Sequence, residues 1–235
     1  MDDPDSSVVV VENALRATTG FANWPAEPMA LLRGKSRLRS HRRGLVFAYE
    51  TDQLPETLCV VSGNLMGERE MADGSVAAVG LIGRGNVVGL SQALLRDARP
   101  GYRYRAHDDA VVIHIPSDYL LELLNAQPVM WRDMAQMLLR QKREMQSAVI
   151  TQTTGALHVR LAATIERLAR LYGENDGDTT VVRLRITQED LAALLQVTRP
   201  TISRALKALE LAGLIRVRYN TLIILDRAGL RKMAA

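Results

Sequence analysis

The chain has 235 residues, 47% of them hydrophobic but only 4% aromatic, so its interior must rest on Leu, Val, Ile, Ala and nine Met. No apolar run reaches the ~18 residues a membrane helix needs, and the acidic, polar start lacks the basic-then-apolar order of an export signal, so a cytoplasmic protein off the membrane is expected. Net charge is +4, with thirteen Lys/Arg against eight Asp/Glu from Ala156 onward, which favours an anionic partner for that third, although a solvated basic face fits the charge as well.

In chain order, residues 1–27 read as a mixed N-terminal arm closed by Pro25 and Pro28. Residues 28–125 read as a β domain, because short apolar runs alternate with Gly-containing turns. The runs are Leu58-Cys59-Val60-Val61, Val76 to Ile82, Val87-Val88-Gly89-Leu90 and Ala110 to Pro116. Asp73-Gly74 supplies a hairpin signal between two segments. Ser117 is a candidate N-cap for a short helix through Leu124. Pro128 opens a long helix to about Thr153, within a segment 126–154. Met134, Leu138, Gln141, Met145 and Ala148 fall on one line of it at 3–4 spacing, the pattern of a helix that meets a partner helix. Packing on its own β domain is the alternative.

Gly155 opens the last segment, 155–235. A helix is expected from Ala156 to Tyr172, then a polar loop from Gly173 to Asp178. Val181 to Ile186 alternates as a strand. Thr187 then caps a helix, with Asp190 three residues on as a capping box. Leu191, Ala192, Leu194 and Leu195 form its apolar side. Gln196-Val197 turns the chain. Thr198 is the expected cap of the next helix, with Pro200 in its first turn and Gly213 as the left-handed stop. Ile202, Ala205, Leu206 and Leu209 face inward at helical spacing. The opposite face carries Arg199, Thr201, Ser203, Arg204 and Lys207. Leu214 to Arg218 and Thr221 to Leu225 then flank Tyr219-Asn220 as a basic β-hairpin. Helix, turn, helix, Gly and hairpin over 187–225 make a winged helix-turn-helix. Such a helix fits the major groove, where Arg matches guanine O6 and N7 and short hydroxyls suit phosphates.

These residues resemble the catabolite activator/fumarate-nitrate regulator (CRP/FNR) family of transcription regulators. The resemblance is sharpest over Ile186-Thr187-Gln188-Glu189-Asp190-Leu191 and over Val197 to Leu206. It implies an α+β chain: an N-terminal jelly roll of the cyclic-nucleotide-binding type with eight strands, a long dimerisation helix and a C-terminal winged helix-turn-helix. It also implies a homodimer on palindromic double-stranded DNA, half-sites about 34 Å apart, and contact with RNA polymerase. The DNA-binding set carried by motif and resemblance is Thr187, Gln188, Thr198, Arg199, Pro200, Thr201, Ser203, Arg204, Lys207, Arg218, Tyr219 and Asn220. Arg204 matches the guanine-reading arginine, Arg199 an arginine at the helix start and Ser203 a base-contacting serine. Pro200 departs from the family's usual Glu, so the half-site should differ at that base pair.

The effector region departs too. Gly85-Asn86-Val87-Val88-Gly89 aligns with the turn into the family's phosphate-binding cassette. Leu90 occupies the position of its Glu, and Pro100-Gly101 that of its Arg-Ser. Arg99, Arg103 and Arg105 lie near, but Arg103-Tyr104-Arg105 alternates like an outward strand face. cAMP is therefore disfavoured. The single cysteine, Cys59, excludes an internal disulfide and an iron–sulfur cluster, and its apolar run points to an inert buried thiol. Heme needs an axial ligand, and His41, His107, His114 and Met66 are available, but a lone His is more often a surface or satisfied core residue, so heme is disfavoured; His107 and His114, seven apart, show no metal-ligand spacing. No cofactor or metal is expected.

Two other functions compete. One is a small-molecule or cyclic-nucleotide sensor whose C-terminal domain binds a protein partner. The basic hairpin and the Arg199/Arg204/Lys207 face argue for DNA instead. The other is a metal-dependent jelly-roll enzyme. Four scattered His do not supply its ligands, no nucleophile triad or Gly-rich phosphate loop is present, and no enzyme is expected.

Overall fold

In the computed structural model, which describes residues 4–48, 55–71, 73–95, 102–153, 155–175, 182–219 and 221–234, the N-terminal arm is largely helical. Helix α1 runs Pro4–Arg16 and α2 runs Ala26–Lys35. The β-branched valines of α1 disfavour a helix on their own. It is the burial of Val11 and Leu15, together with Phe21 and Trp24 in the following turn, that holds it.

The chain divides into two units, 1–142 and 143–235. In the first, eight strands form two four-stranded antiparallel sheets among the described residues. They are β1 Arg37–His41, β2 Val46–Ala48, β3 Glu56–Ser62, β4 Leu65–Glu70, β5 Val76–Ile82 and β6 Val87–Val88, then, after α3 Leu90–Leu95, β7 Tyr102–Ala106 and β8 Ala110–Pro116. One sheet has the order β1-β8-β3-β6 and the other β2-β7-β4-β5. This is the expected jelly roll. The period of two sorts its side chains. Leu58, Val60, Ala110 and Val112 of one sheet meet Leu65, Tyr104 and Ala106 of the other inside the roll. Cys59, Ile113 and Ile115 face the opposite way, onto α1, α2 and two later helices. Those are α4 Ser117–Ala126 and α5 Val129–Thr153. The β4–β5 turn forms as its Asp-Gly predicts, with Gly74 at φ +79° and the Asp73 carboxylate accepting from Ser75.

Ser117 does not cap α4. It is the first helical residue, and its hydroxyl pairs at 2.8 Å with Thr57 Oγ1 of β3. The α5 line also differs from a simple partner seam. Met134 is 0% exposed, packed in the first unit's core beside Met130 and Met137, with Leu138 lying against that cluster. Met134 is therefore corrected from a dimer contact to a core residue. Gln141 is half-buried, Met145 is 58% exposed, and Val149 beside it is exposed too. The side chain of Ala148 lies outside the described residues.

In the second unit, α6 spans Leu157–Tyr172 after Gly155, whose φ is +89°. A short pairing strand β9, Glu174–Asn175, stands inside the expected polar loop, and β10 spans Val182–Leu184. Helices α7 Gln188–Leu195 and α8 Arg199–Leu211, hairpin strands β11 Ile215–Arg218 and β12 Thr221–Ile224, and α9 Arg227–Ala234 complete it. The sheet order is β11-β12-β10-β9. Its core is aliphatic: Leu161, Ile165, Leu191, Ile202, Leu206 and Leu222 are all buried. Glu166 ties α9 to α6 by accepting from Arg227 Nε at 3.0 Å and Arg231 Nε at 2.7 Å. Burial alone would raise its carboxyl, but the two guanidiniums outweigh this and hold it below the usual range.

Candidate nucleic-acid interface

The site rests on α7, the turn, α8 and the hairpin. Thr187 caps α7 as expected. Its hydroxyl accepts from the Asp190 backbone N–H at 3.1 Å, and Asp190 Oδ2 accepts from the Thr187 N–H at 3.0 Å. This satisfies two donors that a helix start leaves open. Gln196 ends α7 in the left-handed region at φ +54°, and Arg160 Nη2 of α6 donates to the Leu195 carbonyl at 2.9 Å. That cation meets the negative end of α7 and fixes the angle from which α8 departs.

Thr198 sits at the N-cap of α8, but its side chain makes no capping bond. Its hydroxyl pairs instead with Thr201 Oγ1 at 2.9 Å. Pro200 lies in the first turn, where no N–H is missed. Ile202, Leu206 and Leu209 are buried, which turns Arg199, Pro200, Ser203, Arg204 and Lys207 to solvent; Thr201 is half-buried. Gly213 at φ +73° stops the helix and starts the hairpin. Arg218 is exposed at the hairpin end, and Tyr219 at its tip is 91% exposed. Asn220 lies outside the described residues. Thr187 and Gln188 are half-buried at the start of α7. The described members of the expected set thus lie exposed or half-buried on α7, α8 and the hairpin of the second unit.

Two acids that the motif did not single out lie on this surface. Glu189 Oε1 is 3.1 Å from Arg199 Nε. Glu210 Oε2 is 3.4 Å from Lys207 Nζ, and its Oε1 accepts from the Val217 backbone N–H at 3.1 Å. Both cations so paired are exposed, so the pairs cost little to exchange for phosphate. Arg204 carries no hydrogen bond or ion pair among the described residues. Its guanidinium is exposed with all its donors available. Arg216 of β11 adds a further exposed cation beside Glu210.

The residues weighed for an effector are placed differently. Leu90 is 2% exposed within the apolar cluster of the first unit. Arg103 and Arg105 both donate to Glu68, at 2.9 and 2.6 Å. Tyr104 between them points into the roll, so the two arginines stand on its outer face. Arg99, Pro100 and Gly101 lie outside the described residues. Cys59 is buried beside Thr18 Oγ1 at 3.3 Å, and burial pushes its thiol up to about 11. A thiol so protonated is a poor nucleophile and a poor metal ligand. His41 and His114 are buried with Nε2 atoms 3.0 Å apart, and His114 Nδ1 is 2.6 Å from Glu56 Oε2. No group of three or more His, Cys, Asp or Glu able to hold a metal ion occurs among the described residues. No helix is long and apolar enough to cross a membrane among them either.

Residues 159–233 match the Crp-like helix-turn-helix domain. The chain is 25% identical over 183 residues to electron transport regulator A of Shewanella oneidensis, covering 78% of this chain and 72% of that protein. It is 23% identical over 198 residues to the fumarate and nitrate reduction regulatory protein of Escherichia coli, covering 84% and 78%. Among solved structures, a CRP-family transcriptional regulator of Thermus thermophilus superposes with TM-score 0.68 at 21% identity, covering 83% of this chain and 96% of that one.

Proposed function

This chain belongs to the CRP/FNR family of transcription regulators, and from that premise we propose that it acts in the cytoplasm as a homodimer, reading a palindromic operator with the exposed face of α8. The observation that carries the reading is the state of Arg204. It is an exposed, unpaired guanidinium on a helix whose other side is locked into the core. Such a fork reaches guanine O6 and N7 in a major groove. Arg199, Ser203 and Lys207 flank it, and Thr198 and Thr201 offer hydroxyls to phosphate. The hairpin sets Arg218 and Tyr219 against the neighbouring backbone.

In the C-terminal half of α5 Met145 is exposed, and in this reading that stretch of the helix meets a second copy. Two copies would place their α8 helices one turn of duplex apart, about 34 Å. Regulation then proceeds by contact with RNA polymerase at the promoter. An operator base pair opposite Pro200 cannot be read by a carboxylate, so the half-site differs there from that of family members with Glu.

The effector is not cAMP in this reading. Leu90 offers no charge, and Glu68 holds the guanidiniums of both Arg103 and Arg105, which supports a roll without a cyclic-phosphate site. A single cysteine cannot ligate an iron–sulfur cluster, and heme is disfavoured in this reading.

The test is Arg204→Ala, measured on a selected operator and on scrambled duplex across a salt series. The account expects operator affinity to fall by about 1–3 kcal/mol, with much smaller loss on scrambled DNA. Equal loss on both would reduce Arg204 to a phosphate contact.

A further inference from the structure

An acid in the last turn of a helix faces that end's partial negative charge, and on a DNA-facing helix it also repels phosphate. Glu210 stands in that position on α8, three residues from Lys207. Its two oxygens have separate tasks. Oε1 accepts from the Val217 backbone N–H at 3.1 Å, and Oε2 lies 3.4 Å from Lys207 Nζ. Strand β11 is an edge strand, bonded only to β12. Every second N–H of such a strand has no neighbouring strand to donate to. The outward donor at Val217 is the one that Glu210 receives.

We propose that Glu210 is a positioning residue that locks the β11–β12 hairpin onto the recognition helix and so fixes the offset between the groove-reading and backbone-contacting groups. The proposal rests on the reading that α8 and the hairpin face one duplex. The lock joins the middle of β11 to α8 nearly two turns beyond Arg204, so Arg218 and Tyr219 cannot shift relative to Arg204 without breaking it. The same carboxylate offsets the charge of Lys207, which lowers the number of phosphates this face neutralises. Glu189 offsets Arg199 in a similar way, but among the described residues it makes no bond to the hairpin backbone. Of these two acids, Glu210 alone reaches the hairpin among the described residues.

The experiment uses the full-length chain as wild type, E210Q and E210A. Duplexes are an operator selected by the wild type from a random library and a scrambled duplex of equal length, in a potassium chloride series. Hydrogen exchange at the Val217 amide is followed in the free proteins. E210Q keeps an oxygen for Val217 but releases Lys207. It should hold the operator-to-scrambled ratio within about twofold, leave Val217 protected, and steepen the salt dependence on both duplexes by up to about 0.9 in log–log slope. E210A should lower the ratio about tenfold, the scale of one charge-assisted hydrogen bond, and expose the Val217 amide. Glu210→Ser, too short to reach the strand, replaces E210A if that variant does not fold. An unprotected Val217 amide in the wild type overturns the proposal, as does an E210A ratio equal to wild type, or an E210Q loss equal to that of E210A. If the wild type prefers neither duplex, it is the DNA-facing reading that fails, while Val217 exchange still reports on the lock.

Discussion

At the scale of single residues, the first unit hides its most unusual chemistry inside the roll. The facing Nε2 atoms of His41 and His114 require one ring to donate and the other to accept. Phe47 stacks on His41 at 4.5 Å, and His41 Nδ1 is buried without a hydrogen-bond partner among the described residues. Burial, then the nearby charges of His114 and Arg39, hold His41 below the usual imidazole range. The sign follows from linkage. The unfolded chain takes up this proton at a higher pH than the folded one, so the contribution is fully present above about pH 6.5 and is lost as pH falls from there through the folded value. The thermal stability of the wild type should therefore fall below about pH 6.5, by at most about 1.4 kcal/mol per pH unit for this one proton. His41→Phe should flatten that part of the curve. A wild-type curve flat from pH 7 to 5, or an unchanged slope in His41→Phe, would contradict it.

At the scale of elements, α5 changes allegiance along its length. Met134 belongs to the core of the first unit, whereas Met145, on the same line of the helix, is exposed. Charges at the two sites should act differently. Met134→Lys buries an unpaired ammonium and should unfold the first unit, at a cost of several kcal/mol. Met145→Lys should leave the fold intact and yield monomers by sedimentation. A folded, dimeric Met145→Lys would move the interface elsewhere. The elements also differ in how far the sequence reveals them. The helix-turn-helix is legible because its signals are local: the Thr187–Asp190 box, Pro200 in a first turn, Gly213 as the stop. Strand β1 is not, because Arg37, Arg39 and Ser40 lie exposed at a sheet edge and blur the alternation. Helix α1 is hidden by its valines, which long-range burial overrides. The line through Met134 and Met145 is periodic throughout, and periodicity alone cannot say which part meets its own domain. The motif does not single out Glu189 and Glu210, because Arg199, the partner of Glu189, and Val217, the backbone partner of Glu210, lie on other elements, and only the fold brings those together. An acid in the last turn of a basic helix was the one available signal.

At the scale of the whole molecule, two units with different interiors divide the work. The roll encloses a histidine pair beside an apolar helical layer, and the C-terminal unit sets out a basic face on an aliphatic core. The central claim is that this face enters a duplex groove with Arg204 over a guanine. Dimethyl sulfate methylates guanine N7 from the major groove, the same atom a bidentate arginine occupies. Footprinting of the selected operator should show one guanine per half-site protected by the wild type, the two about 10 base pairs apart. Arg204→Ala at saturating concentration should lose protection at those two guanines alone. Protection that survives the substitution, or that never appears in the major groove, would contradict the account.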